Sequence, residues 1–159
     1  MKRLVLLCGV AGSGKSTYIK LNNPYKDAHI LECDVYRKRV TGSYRIMPKD
    51  AYKEVYDVVI RDANKLCEEN ENIDVIIDST FLTKARRNYF VEKLPGFDSY
   101  ELIILHTSDP AINLKKNKLR EEEKWVPEKT ILEMRHSYEE PDEEEKKFYN
   151  LINIIEVVD

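Results

Sequence analysis

Apolar residues gather in five short blocks along the chain: Arg3 to Cys8, Ala28 to Cys33, Ile73 to Asp78, Tyr100 to His106 and Ile152 to Val158. The first is almost unbroken, as expected of a central parallel strand covered on both faces. The stretches between the blocks have a different period. Within Lys49 to Asn70, the residues Tyr52, Val55, Tyr56, Val59, Ala63, Leu66 and Cys67 share one helical stripe. Lys84 to Leu94, Pro110 to Leu119 and Glu128 to Ser137 read as further helices, with Pro127 opening the last at a first-turn position. Strands alternating with helices predict an α/β fold, a five-stranded parallel sheet with helices on both faces. The 159 residues read as one domain with no internal repeat and no linker. Gly42 to Pro48 reads as a mobile loop.

In such a sheet, ligands bind beyond the carboxyl ends of the strands. Directly after the first strand, Gly9-Val10-Ala11-Gly12-Ser13-Gly14-Lys15-Ser16-Thr17 fits G-x-x-x-x-G-K-[ST]. Glycines at 9, 12 and 14 let the backbone turn its N–H groups toward phosphate oxygens, and the helix starting near Lys15 adds its positive end. Ser13 and Thr17 belong to the same cradle. Lys15 would reach the β- and γ-phosphates, and the Ser16 hydroxyl would ligate Mg²⁺. The motif specifies a nucleoside triphosphate without stating its fate.

Three further positions carry candidate chemistry. Asp34 comes just after the second strand, with Arg37 three residues on. If a helix begins there, Asp34 is its N-cap and Arg37 faces the same cleft one turn later. The carboxylate could take the proton of a hydroxyl attacking the γ-phosphate, and Arg37 could hold an anionic group of that acceptor. On local sequence alone, a cap with a surface arginine is an equal reading. Val75-Ile76-Ile77-Asp78 ends a strand in a carboxylate, which has the form of a Walker B element near Mg²⁺, with Thr80 placed to touch substrate. The mixed-charge stretch around 115–127 reads as a closing lid. Arg120 is the chosen lid cation over the phosphates, with Lys115, Lys116 and Lys118 as alternatives and a salt-bridged helix face as the bland account.

Trp125 reads as an anchor of the lid's far end. Tyr36, Tyr44, Tyr52, Tyr56 and Tyr89 could include a stacking platform for a base, though most read as core. His106 reads as a packed histidine. Asn117-Lys118-Leu119-Arg120 comes within one residue of the guanine-specifying Asn-Lys-x-Asp, and reads as accidental because an arginine could not accept from the guanine edge.

Composition narrows the context. Charged residues make up 35% and apolar residues 42%, with no run long enough to span a membrane, so a cytoplasmic globular chain is expected. Cys8, Cys33 and Cys67 show no paired spacing and read as free thiols, and with His29, His106 and His136 they suggest no zinc site. The net charge of −3 argues weakly against non-specific nucleic-acid binding. Basic residues nonetheless cluster at Arg37, Lys38, Arg39 and Arg45, and at Lys84, Arg86 and Arg87, while an acidic excess sits at Glu139, Glu140 and Asp142 through Glu145. Any single charge of these reads as a solvated helix face.

In order, the loop at 9–17, Asp34-x-x-Arg37, the strand ending Ile77-Asp78-Ser79-Thr80, Lys84-Ala85-Arg86-Arg87, and Arg120 ahead of Trp125-Val126-Pro127 resemble the kinase domain of phage-type polynucleotide 5′-hydroxyl kinases and their small bacterial P-loop relatives. The resemblance spans nearly the whole chain. It implies a P-loop kinase fold with a helical lid, and an enzyme using ATP and Mg²⁺. Lys15 and Ser16 would bind the phosphates and metal, with Asp78 near the metal. Asp34 would be the general base, Arg120 the lid arginine, and Arg37, Thr80 and Arg87 the acceptor-binding set. The implied acceptor is a 5′-hydroxyl DNA or RNA end. The third strand ends Asp78-Ser79-Thr80-Phe81 where the phage-type enzymes have Ser-Asp-Thr-Asn, a spelling closer to the metabolite-kinase-like relatives. A small metabolite or an aminoacyl-tRNA is therefore the alternative acceptor, and a nucleotide-dependent switch without an acceptor is a third reading.

Overall fold

A computed structural model of the chain describes residues 1–44 and 51–158. Five strands, β1 (Lys2–Cys8), β2 (His29–Glu32), β3 (Ile73–Asp78), β4 (Ser99–His106) and β5 (Leu151–Glu156), form one sheet in the order β2-β3-β1-β4-β5. All four pairings are parallel. The helices are α1 (Lys15–Leu21), α2 (Cys33–Thr41), α3 (Ala51–Glu69), α4 (Lys84–Glu92), α5 (Pro110–Lys118), α6 (Glu128–Ser137) and α7 (Glu143–Phe148). The α/β reading holds, and β3 and α6 have the expected bounds. Part of the expected Gly42–Pro48 loop, Arg45 included, lies outside the described residues, as does Lys49.

The apolar run of β1 serves two layers. Leu4, Leu6 and Cys8 pack with Val55, Val59 and Ala63 of α3 and Phe90 of α4. Val5 and Leu7 point the other way, toward Tyr18 and Ile19 of α1. Period-2 alternation carries one strand into both layers, so neither face tolerates a polar residue. Each such buried side chain is worth about 1.5–3 kcal/mol relative to exposure. A third cluster, Val10, Ala11 and Ile131 with Leu114, Val126 and Met134, seats α5 and α6 on the loop after β1. At the far edge β5 is half-exposed, with Leu151 and Ile154 partly open to solvent.

Chain connections diverge between neighbouring strands β1 and β3: β1 leads outward to β2, whereas β3 crosses to β4. A cleft belongs there by topology. Backbone bonds from Gly9 N to Thr80 O (3.2 Å) and Ser79 N to Leu7 O (3.3 Å) join the two strand ends.

Two charge readings are overturned. Arg87 is not in a substrate cleft: its side chain is fully buried, and its guanidinium pairs with Glu145 at 2.6 Å (Nε–Oε2) and 3.0 Å (Nη2–Oε1). Two further donors, Nη1 and Nη2, reach the Phe81 and Glu139 carbonyls, both at 2.9 Å. The acidic run is likewise not simply a solvated face. Asp142 caps α7 by accepting from Glu145 N at 2.8 Å, and α7 turns Glu145 inward. Burying Arg87 alone would be prohibitive, and the bidentate carboxylate with two carbonyls satisfies the fork. Burial disfavours the charge on Arg87, but hydrogen bonding and attraction from Glu145 outweigh it and hold its pKa above its ordinary value.

Glu145→Ala, which strands that guanidinium, is expected to lower the unfolding free energy by about 3–5 kcal/mol in urea titrations. Replacing both partners by methionine should recover much of the loss. A role for Arg87 in acceptor binding would instead leave stability unchanged in Arg87→Met and raise the acceptor KM.

Candidate active site

The loop after β1 is shaped by its glycines. Gly12 and Gly14 have φ of +80° and +89°, a region that L side chains rarely adopt. A Cβ on Gly12 would also lie 2.2 Å from the Asn113 backbone oxygen of α5. Gly14 is the N-cap of α1 and offers no side-chain cap, so the first N–H groups of that helix stay available to a ligand. Gly9 sits behind the loop, where a Cβ would lie 2.2 Å from Ser13 Oγ. Lys15 Nζ donates to the Gly9 carbonyl at 2.7 Å, folding the ammonium into the loop's own cradle.

A cleft of about 480 Å³ opens over this loop. Gly12, Ser13, Gly14, Lys15, Ser16 and Thr17 line it, together with Asp34, Arg37, Asp78, Thr80 and Arg120. The structure thus gathers the chosen sequence-derived candidates on one cleft, Gly9 (behind the loop) and Arg87 (in the core) excepted; of the alternative cations, Lys116 lines the cleft and Lys115 and Lys118 do not. Ser13 also faces inward, with its hydroxyl buried and unpartnered among the described residues.

Asp34 is the hub of the charges. Arg37 Nη1 donates to its Oδ1 at 2.7 Å, and Arg120 Nη2 to its Oδ2 at 3.2 Å. The expectation that Asp34 caps a helix is corrected. Glu32 occupies the N-cap of α2, which begins at Cys33, so Asp34 lies in the first turn and its carboxylate faces the cleft instead of capping the helix. Burial pushes its pKa up, but Arg37, Lys15 and Arg120 together outweigh burial and hold it below its ordinary value. Asp78 behaves oppositely. Burial pushes it up to about 6, against the pull of Lys15 and with Asp34 adding repulsion. Neighbouring carboxylates whose environments drive them apart are a mark of divided chemical labour.

Among the described residues no three His, Cys, Asp or Glu side chains converge on a metal position. A divalent cation held here would rest on phosphate oxygens and water with one or two protein oxygens, the manner of Mg²⁺. Ser16 and Asp78 in the same cleft fit that donor set.

The segment read from the sequence as a helical lid is less helical than expected. Residues 115–118 are the last turn of α5, and Glu122–Lys124 form a single 3-10 turn. Pro127 is the N-cap of α6 rather than its first residue. Lys38 of α2 reaches across to Glu123 at 3.1 Å, and Lys124 lies 5.1 Å from the Tyr44 ring centre. Of the tyrosines weighed as a platform, Tyr44 lines the cleft. Tyr36, Tyr56 and Tyr89 are committed to Asp62, Arg86 and Asp57. Half-exposed His106 meets Glu156 of β5 at 2.6 Å.

Sequence reasoning missed Asn113 and Asn117, both fully buried on α5. Asn113 Nδ2 donates to Ala11 O at 3.1 Å, while its Oδ1 accepts from Thr107 Oγ1 (2.6 Å) and Arg135 Nη1 (2.8 Å). The available signal was two asparagines four apart inside a helix, where that residue is disfavoured unless it has a partner.

The chain matches the family model described as AAA domain over residues 4–141. No curated protein matches it. Among solved structures it is similar to a gluconokinase from Sinorhizobium meliloti 1021, at 16% identity and a TM-score of 0.66, covering 99% of this chain and 84% of that one. It is similar to a chain of the Pnkp1/Rnl/Hen1 RNA repair complex, at 18% identity and a TM-score of 0.72, covering 94% of this chain and 46% of that one. It is also similar to Chaetomium thermophilum Kti12 in complex with ADP-AlF3, at 12% identity and a TM-score of 0.64, covering 96% and 88%. At these identities the likeness concerns the fold. No helix among the described residues is long and apolar enough to cross a membrane.

Gly12→Ala combines a left-handed backbone with a 2.2 Å clash against backbone. It is expected to remove measurable ATP·Mg²⁺ binding in calorimetry and to lower stability by about 1–3 kcal/mol.

Proposed function

The chain belongs to the AAA-domain family whose model it matches, a P-loop family, and on that premise we propose that it is an ATP-dependent phosphotransferase acting on a hydroxyl acceptor, with a polynucleotide 5′-hydroxyl end as the leading acceptor. The observation that carries this reading is the setting of Asp34. One carboxylate at the mouth of a phosphate loop is held by an arginine from its own helix and by another from the lid.

The loop glycines and Lys15 hold the triphosphate. Mg²⁺ bound through Ser16 and Asp78 would neutralise charge on the phosphate oxygens. Asp34 accepts the proton of the acceptor hydroxyl, whose oxygen bonds the γ-phosphorus as the bond to the β–γ bridging oxygen breaks and ADP departs. Arg120 leaves Asp34 for the transferring phosphoryl group, where positive charge is needed. Arg37 stays on the acceptor side. Its Nε is buried without a partner among the described residues, which suits an oxygen of an acceptor phosphate. Thr80 lies beside it in the cleft.

A second reading keeps the chemistry with a small hydroxyl metabolite as acceptor. The cleft volume of about 480 Å³, within the range of small-molecule pockets, favours it.

Transfer of label from γ-labelled ATP to 5′-hydroxyl DNA, 5′-hydroxyl RNA, a metabolite pool and water separates these readings. We expect label on an oligonucleotide, lost in Lys15→Ala. In Asp34→Asn transfer should fall about 10²–10⁴-fold, with ATP affinity held within a few-fold. Label confined to the metabolite pool moves the acceptor to the second reading. Equal loss of binding and transfer in Asp34→Asn would make Asp34 structural.

A further inference from the structure

Helix α5 spends two interior positions on buried asparagines. Asn113 attends to the phosphate loop through its bond to Ala11. Asn117, one turn later, attends to the lid. Its Nδ2 donates to the Val126 carbonyl at 2.8 Å and its Oδ1 accepts from the Val126 N–H at 2.9 Å. The amide meets one residue's backbone on both sides, as a neighbouring strand would. Turned over, it would set donor against donor and acceptor against acceptor. The backbone carbonyl of Asn117 also accepts from Arg120 N at 3.3 Å.

Residues 119–125 are therefore a loop with both ends fastened to Asn117. Inside the loop, Trp125 Nε1 donates to the Arg120 carbonyl at 2.8 Å, and the Lys118 ammonium lies 4.1 Å from the indole ring centre. The Arg120 backbone is thus gripped on two sides, while its guanidinium projects to Asp34 at 3.2 Å. Asn117 is not among the residues lining the cleft, whereas Leu119, Arg120, Glu121, Lys124 and Val126 are.

Resting on the phosphotransfer reading, we infer that Asn117 is a positioning residue for Arg120. It closes the base of the lid, so that residues 119–125 swing as one piece from the end of α5 and deliver the guanidinium in a fixed orientation. Asn113, on the same face of the same helix, sets the phosphate loop instead. The two amides divide the work: one governs how well nucleotide is held, the other how fast phosphate moves.

Trp125 is the only tryptophan, so its emission reports this loop directly. Asn117→Ala, checked for fold by circular dichroism, is expected to show red-shifted Trp125 emission and a kcat lowered on the order of 100-fold. Its ATP·Mg²⁺ affinity by calorimetry should stay within about two-fold of the wild type, and adding Arg120→Ala should lower kcat little further. Asn113→Ala should do the reverse, weakening nucleotide binding with Trp125 emission unchanged. Should Asn117→Ala not fold, Trp125→Phe, which removes the indole donor, carries the same expectation of lost kcat at retained affinity. Unchanged emission and kcat in Asn117→Ala, or parallel loss of affinity and kcat, would overturn the assignment. If the wild-type protein transfers no phosphate to any acceptor, the functional reading fails and the emission decides the positioning question alone. A shift in Asn117→Ala upholds it and an unmoved spectrum refutes it.

Discussion

Everything in the cleft hangs on a contact that admits no side chain: Gly12 against the carbonyl of Asn113. Because α5 presses on the loop there, the backbone must pass through a left-handed conformation, and the amide of Asn113 then holds Ala11 in place. The contact is anchored in turn. Thr107 and Arg135 grip the same amide, which joins the end of β4 and helix α6 to the loop. A phosphate cradle needs N–H groups aimed within tenths of an ångström, and a flexible loop does not supply that alone. Close backbone packing between two rigid elements does.

The electrostatics arise from the same geometry. The sheet brings the ends of β1, β2 and β3 side by side, which sets Asp34 and Asp78 in one cleft with Lys15. Arginines reach only one of the two carboxylates directly, so burial dominates at Asp78 while cations dominate at Asp34. Each state suits its place. In the proposed roles, Asp78 would benefit when a cation arrives to discharge the burial penalty, and Asp34 when its arginine is drawn off to a phosphate.

Strands, phosphate loop and most cleft residues were legible in the sequence because they are local patterns. An apolar run, a glycine spacing and a carboxylate at a strand end each announce themselves without reference to distant residues. What stayed hidden was pairing across the chain. Arg87 looked like part of a basic run, and only its distance of 58 residues from Glu145, bridged by the fold, makes it a core residue. The acidic run looked solvated because α7 is too short for its period to show. Asp34 looked like a cap, and the cap and helix start lie two residues earlier, at Glu32 and Cys33. Asn117 was read through a guanine motif it nearly matches, when its partner is the backbone of Val126.

The cysteines carry a practical consequence. All three are buried, burial pushes the Cys33 thiol up to about 12, and the other two are raised as well. Thiols kept protonated and out of reach do not compete for maleimides or spin labels. The native chain is therefore expected to serve as a cysteine-free background, and a single cysteine introduced at the exposed position Glu121 would give a site-specific probe of the segment between α5 and α6 without stripping the core of its own sulfur.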